Sequence, residues 1–96
     1  MTESERFNIT TSEKFLRQAS RFFRKHPDLK PRFAATVSAL QQDPFQPGLG
    51  LHQLTGKLSG CHAVRLTYSY RITLTLLISE HEIILLDIGS HDEVYR

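Results

Sequence analysis

Five histidines, at positions 26, 52, 62, 81 and 91, and one cysteine, Cys61, are the first residues whose chemistry has to be weighed. No two of the histidines lie three to five residues apart and there is no cysteine pair, so the spacing does not read as a zinc site. No nucleophile elbow is present, and the Pro/Gly stretch before His52 lacks the strand–turn–helix setting of a phosphate-cradling loop. What remains is acid–base chemistry by imidazole, with guanidinium as its electrostatic partner. Arg65 and Arg71 are expected on one sheet face on neighbouring strands. His91 follows the last expected strand by two residues, Tyr95 comes four residues later, and His52 stands where the chain enters the sheet. Such a set could surround one phosphodiester. Cleaving RNA without a metal requires a base for the 2′-hydroxyl, an acid for the departing 5′-oxygen and positive charge for the pentacovalent phosphorus. A structural reading competes with this one: Arg65 and Arg71 pair with Asp87 or cross-strand neighbours, and His91 and Tyr95 belong to a packed tail. His26 and His81 read as surface residues, His62 as a partly buried, hydrogen-bonded one, and Cys61 as a small packed residue with no basic partner to activate it.

The elements that must position these residues follow from hydrophobic period. Phe7 and Ile9 alternate with polar neighbours over residues 6–10, a short strand. Thr10 and Glu13 have capping-box spacing, which predicts a helix from Thr11 whose apolar stripe is Phe15, Leu16, Ala19, Phe22 and Phe23. Pro27 ends it. A second helix is expected after Asp28 as N-cap, with Pro31 in its first turn and Leu29, Phe33, Val37 and Leu40 facing inward; Asp43-Pro44 stops it. The segment DPFQPGLGL is a loop, and two helices so closely joined read as an antiparallel hairpin.

From Cys61 onward the period changes to two. Three strands are expected, over 61–67, 70–78 and 82–89, joined by bends at Tyr68-Ser69 and at Ser79-Glu80-His81. Ile72, Leu74, Leu76 and Ile78 share one face of the middle strand; in the last, Ile84, Leu86 and Ile88 oppose Ile83, Leu85 and Asp87. The resulting antiparallel sheet has an aliphatic face that only the two helices can cover. The other face carries Arg65, Arg71, Thr73, Thr75 and Asp87. The fold class is therefore α+β, with an N-terminal strand and a two-helix hairpin packed on one face of a twisted antiparallel sheet.

Composition sets the outer bounds. Ninety-six residues, 40% hydrophobic and 23% charged, fit one compact domain and exclude a disordered or repeat architecture. The single cysteine excludes a disulfide framework and suits a reducing cytosol, hence a cytoplasmic location. The longest aliphatic run, Ile83 to Leu86, is far too short for a membrane span, and the opening MTESERFNIT does not read as a secretory signal. The net charge of +2 conceals an asymmetry: residues 14–32 hold seven Lys/Arg against one acid, while residues 80–96 hold five acids against one Arg. The basic stretch is either a solvated helix face or a surface for a polyanion.

Three segments carry a likeness to a known family. HQLTGKLSGCHAVRLTYSYRITL (52–74) resembles the Leu-x-Gly, Leu-Ser-Gly and paired-arginine pattern of the RelE/ParE toxin superfamily of type II toxin–antitoxin modules. DIGSHDEVYR (87–96) is similar to the Gly-Ser/Thr-His-x-x-x-aromatic ending of its YafQ-like branch, and the helical opening TSEKFLRQASRFFRKHP is a weaker match. The resemblance spans nearly the whole chain. It implies a metal-independent, cofactor-free endoribonuclease that cuts messenger RNA on the ribosome and inhibits translation, with an acidic antitoxin as cognate partner. It implies His52 and His91 as proton-transfer residues, Tyr95 as the aromatic that stacks a base or assists proton transfer, and Arg71 as the arginine that stabilises the phosphate. Lys57, Lys14, Arg17, Arg21 and Arg24 are then the RNA-binding cations. Arg65 replaces the branch's further active-site histidine, and Ser69 stands where the branch has an aspartate, which leaves the identity of the general base open. Two other readings accompany the resemblance: a non-enzymatic, ParE-like toxin that binds DNA gyrase, against which His91 argues, and a weakly active, antitoxin-binding relative.

Overall fold

In the computed structural model, which describes residues 6–90, the order of elements is β1 (Asn8–Thr11), α1 (Glu13–Lys25), α2 (Lys30–Gln42), β2 (His52–Gln53), β3 (His62–Arg65), β4 (Tyr70–Leu77) and β5 (Glu82–Ser90). The five strands form one sheet in the order β1-β5-β4-β3-β2. The pairs from β2 to β5 are antiparallel, but β1 runs parallel to β5, with Ile9 opposite Ile83 and Thr11 opposite Leu85. The sheet is therefore mixed rather than antiparallel throughout. Most of the chain lies between β1 and β5, so no hairpin dictates their relative direction and a parallel pairing is open to them.

Helix α1 begins two residues later than the capping-box spacing suggested. Thr10 and Thr11 are taken up by β1, and Ser12 becomes the N-cap, its hydroxyl accepting from the Phe15 N–H at 3.0 Å. Phe15 and Phe22, two turns apart, are buried, whereas Leu16 is 57% exposed. Each residue advances the helix by about 100°, which carries Leu16 off the stripe that Phe15 sets. Ahead of α2, Pro27–Leu29 form a turn of 3-10 helix closed by the Leu29 N–H on the His26 carbonyl at 3.1 Å. Asp28 lies inside that turn rather than at the N-cap of α2, which Leu29 occupies without a side-chain bond. At the other end Asp43 closes the helix, and its carboxylate accepts from the Phe45 N–H at 2.9 Å.

Both helices lie on one face of the sheet. The core joins Phe15, Phe22 and Leu40 to Val64, Leu66, Ile72, Leu74, Ile83, Leu85 and Ile88. Each such side chain contributes about 1.5–3 kcal/mol by leaving water. Arg32 on α2 adds a polar tie, its Nε–H donating to the Leu66 carbonyl at 2.9 Å.

A bulge in β5 overturns the simple alternation expected there. Thr73 pairs with Asp87 and Leu74 with Leu85, leaving Leu86 as the extra residue. The insertion shifts side-chain phase, so that Ile83, Leu85 and Ile88 all reach the core. Asp87, opposite Thr73 and past the point where β1 ends, has its Oδ2 3.3 Å from Lys14 Nζ of α1, and its Oδ1 accepts from the Ile88 N–H at 2.9 Å. No described helix is long and apolar enough to cross a membrane.

Candidate active site

The face of the sheet away from the helices is set by strand register. His52 on β2 stands opposite Ala63, and Ala63 opposite Thr73; one step along the strands, Arg65 stands opposite Arg71, and Arg71 opposite Gly89. Because alternate residues of a strand share a face, Ala63 and Arg65 point the same way, which puts His52, Arg65 and Arg71 on one side of the sheet. With strands about 4.8 Å apart and a rise of about 3.3 Å per residue, the His52 backbone lies roughly 8 Å from that of Arg65 and roughly 12 Å from that of Arg71. Side chains of these lengths span such gaps. Between them the floor is small: Ala63, Thr73 and Gly89, all buried.

Gly50 ties two of these residues together. It ends the short 3-10 turn Pro47–Leu49 in the left-handed region, φ +63°, a conformation glycine adopts without steric cost. Its carbonyl lies 2.9 Å from His52 Nδ1. A carbonyl can only accept, so Nδ1 carries the hydrogen, which leaves Nε2 as the ring nitrogen that can give up or take a proton. Its Cα side faces the Arg65 guanidinium so closely that a Cβ there would stand 3.3 Å from Nη2 and 3.6 Å from Cζ. Gly50 thus fixes the histidine tautomer and leaves room for the arginine. The Pro-started turn that ends in glycine just ahead of His52 is visible in the sequence and could have revealed this role.

A cleft of about 400 Å³ opens at this place, lined by His52, Lys57 and Arg71 with Leu54 and Leu58 among its walls. Lys57 comes from the short 3-10 turn Gly56–Leu58 and is exposed. Arg65 and Arg71, as direct cross-strand partners, form a like-charge pair, which is unfavourable in an empty sheet and becomes favourable when an anion lies between the two groups.

The cations of α1 are elsewhere. Lys14, Arg17, Arg21 and Arg24 are exposed on the helix layer, Lys14 engaged with Asp87. Arg21 lines a second cavity, of about 360 Å³, with Phe22, Lys25, His26, Asp87 and Ile88. The fold therefore separates Lys57, which joins the cleft, from the helical cations, which do not. His91 and Tyr95 lie outside the described residues; the described chain reaches Ser90, opposite Tyr70.

The remaining histidines are accounted for by packing. His26 packs between Phe22 and Tyr70, with ring centroids 4.7 and 4.8 Å away. His81, in the β4–β5 turn with φ +52°, packs on Phe7 at 5.2 Å and is not a purely solvated residue. His62 is half-buried, but its Nδ1 has no hydrogen-bond partner, contrary to expectation. Among the described residues no group of three or more His, Cys, Asp or Glu could hold a metal ion.

A mixed five-strand sheet with two helices packed on it is the fold of the RelE/YafQ-like toxins, and solved structures similar to this chain include toxins of that kind. The toxin–antitoxin complex DinJ–YafQ of E. coli aligns with a TM-score of 0.77 at 13% identity, covering 95% of this chain and 99% of that one. YafQ of E. coli aligns at 0.73 and 14% identity, covering 94% and 99%. A YoeB/ParE toxin from Agrobacterium tumefaciens aligns at 0.73 and 13% identity, covering 88% and 99%. No protein-family model matches the chain, and no curated protein matches it.

Proposed function

We propose that this chain is the toxin of a type II toxin–antitoxin module and that it cleaves messenger RNA on the ribosome without a metal. The observation that carries the reading is the register that puts His52, its Nδ1 against the Gly50 carbonyl, on the same face of the sheet as the directly paired Arg65 and Arg71. His52 takes the proton of the ribose 2′-hydroxyl, and the oxygen attacks the adjacent phosphorus. Arg65, Arg71 and Lys57 offset the charge gathering on the phosphoryl oxygens. The 5′-oxygen leaves with a proton supplied by His91, giving a 2′,3′-cyclic phosphate and a 5′-hydroxyl, while Tyr95 holds a base. These last two roles rest on the likeness of the chain's ending to the YafQ-like branch. The likeness in fold to the YafQ of the DinJ–YafQ complex supports an antitoxin partner. The basic outer face of α1 suits an acidic one.

Expression in a bacterial host tests this directly. Growth arrest with cleaved messenger RNA, mapped by primer extension, is expected for the native chain and is lost in Arg71→Ala and His91→Ala variants that still fold. Arrest with intact messenger RNA and a supercoiling defect would overturn the reading in favour of a gyrase poison. Arrest that persists in the folded double variant would overturn the chemistry.

A further inference from the structure

The tip of the β3–β4 hairpin carries Tyr68, 98% exposed, more than any other large apolar side chain among the described residues. One exposed aromatic is ordinary on a protein surface. The setting of this one is not, because the turn that presents it is braced from three sides. The Thr67 hydroxyl accepts from the N–H groups of both Ser69 (3.1 Å) and Tyr70 (3.2 Å). The Tyr70 carbonyl accepts in turn from Leu66 and Thr67 (2.9 and 3.1 Å). Arg32 reaches over from α2 to the Leu66 carbonyl at 2.9 Å. The backbone that carries the ring is thus already ordered before a partner arrives, and only the two side-chain torsions of Tyr68 are left to be fixed.

Position gives the partner. Tyr68 is three residues beyond Arg65 on one strand and three before Arg71 on the other, about 10 Å along the hairpin from the like-charge pair. A phosphate bridging the two guanidiniums places the neighbouring nucleotides of the same strand within that distance. A free base has a π-face that stacks on tyrosine whatever its identity, whereas a base inside a duplex does not. We propose that Tyr68 is a stacking platform for an unpaired nucleobase flanking the phosphate held at Arg65 and Arg71, so that the hairpin selects single-stranded RNA. The proposal rests on the nuclease reading of the site and adds to it a binding residue that does no chemistry.

The test uses an uncleavable probe, a short single-stranded RNA fully 2′-O-methylated, so that binding is read apart from cleavage. The chain contains no tryptophan, so Tyr68→Trp creates a unique fluorophore at the tip. Its emission should be quenched by the single strand and unaffected by the same RNA annealed to its complement. Tyr68→Ala should weaken binding of the single strand roughly 5- to 150-fold, Tyr68→Phe should retain it, and neither should alter the melting temperature. On cleavable RNA, Tyr68→Ala should raise KM and leave kcat in place. Unchanged affinity in Tyr68→Ala, or an unquenched tryptophan while RNA is bound, would overturn the inference and leave the nuclease reading standing. Failure of the native chain to bind the probe at all, together with failure to cleave ribosome-bound messenger RNA, would overturn both.

Discussion

Replacing Gly50 with alanine disturbs both halves of the site through one methyl group. The backbone there is left-handed, φ +63°, which costs an L-residue about 1–2 kcal/mol relative to glycine. For a domain of this size that is a fall of roughly 4–16 °C in melting temperature. The new Cβ would also stand 3.3 Å from Arg65 Nη2. A guanidinium is the mobile end of a long side chain, so it gives way at little further cost in stability, but it moves off its place. Because the same residue's carbonyl orients His52, activity should fall further than stability alone explains, by about tenfold or more in kcat/KM measured well below the melting transition. Gly48, two residues earlier, is the internal control: a Cβ there meets nothing within 4 Å and its backbone is not left-handed. Gly48→Ala should be neutral or slightly stabilising, with activity intact. Thermal unfolding by circular dichroism and a fluorogenic RNA substrate measure the two quantities. Equal melting temperatures and equal activities for the two variants would refute the role assigned to Gly50.

Other expectations follow from the same geometry. His52→Ala should lower the cleavage rate on RNA roughly 10²- to 10⁴-fold while the far-ultraviolet spectrum stays native, as single-turnover kinetics would show. Asp87→Ala should destabilise by about 1–3 kcal/mol, because it strips the buried Ile88 N–H of its acceptor, whereas Lys14→Ala should cost under about 1 kcal/mol, its ammonium being largely exposed. Urea denaturation that ranks the two in the opposite order would contradict the assignment. Arg65→Gln should raise the stability of the RNA-free protein by about 0.2–1 kcal/mol in low-salt buffer, an effect that fades toward 1 M salt, while removing the stabilisation conferred by added polyphosphate.

Much of this fold is readable from residue order. The three long strands, the two helices and the sharing of one face by Arg65 and Arg71 follow from hairpin connections and from periods of two and 3.6, all local signals. The errors arise where a distant partner decides. Thr10 and Thr11 carry cap-like chemistry, but pairing with β5 claims them and hands the cap to Ser12. Strict alternation groups Ile83, Leu85 and Asp87 apart from Ile88; a single extra residue in β5, invisible without its partner strand, brings Ile83, Leu85 and Ile88 to the core together. The cations of α1 look like part of the RNA surface because charge is counted along the chain, yet the helix lies on the far side of the sheet from His52. Lys57 reaches the cleft through a short turn that periodicity does not detect.

The strand order carries a consequence for how such a protein is made. β5, the last strand among the described residues, inserts between β1 and β4 rather than adding at an edge. Until it emerges, β1 has no partner and α1 no floor to rest on, so the nascent chain cannot assemble the layer that supports its open face. A growing polypeptide with this connectivity cannot close its sheet until β5 is free to enter it.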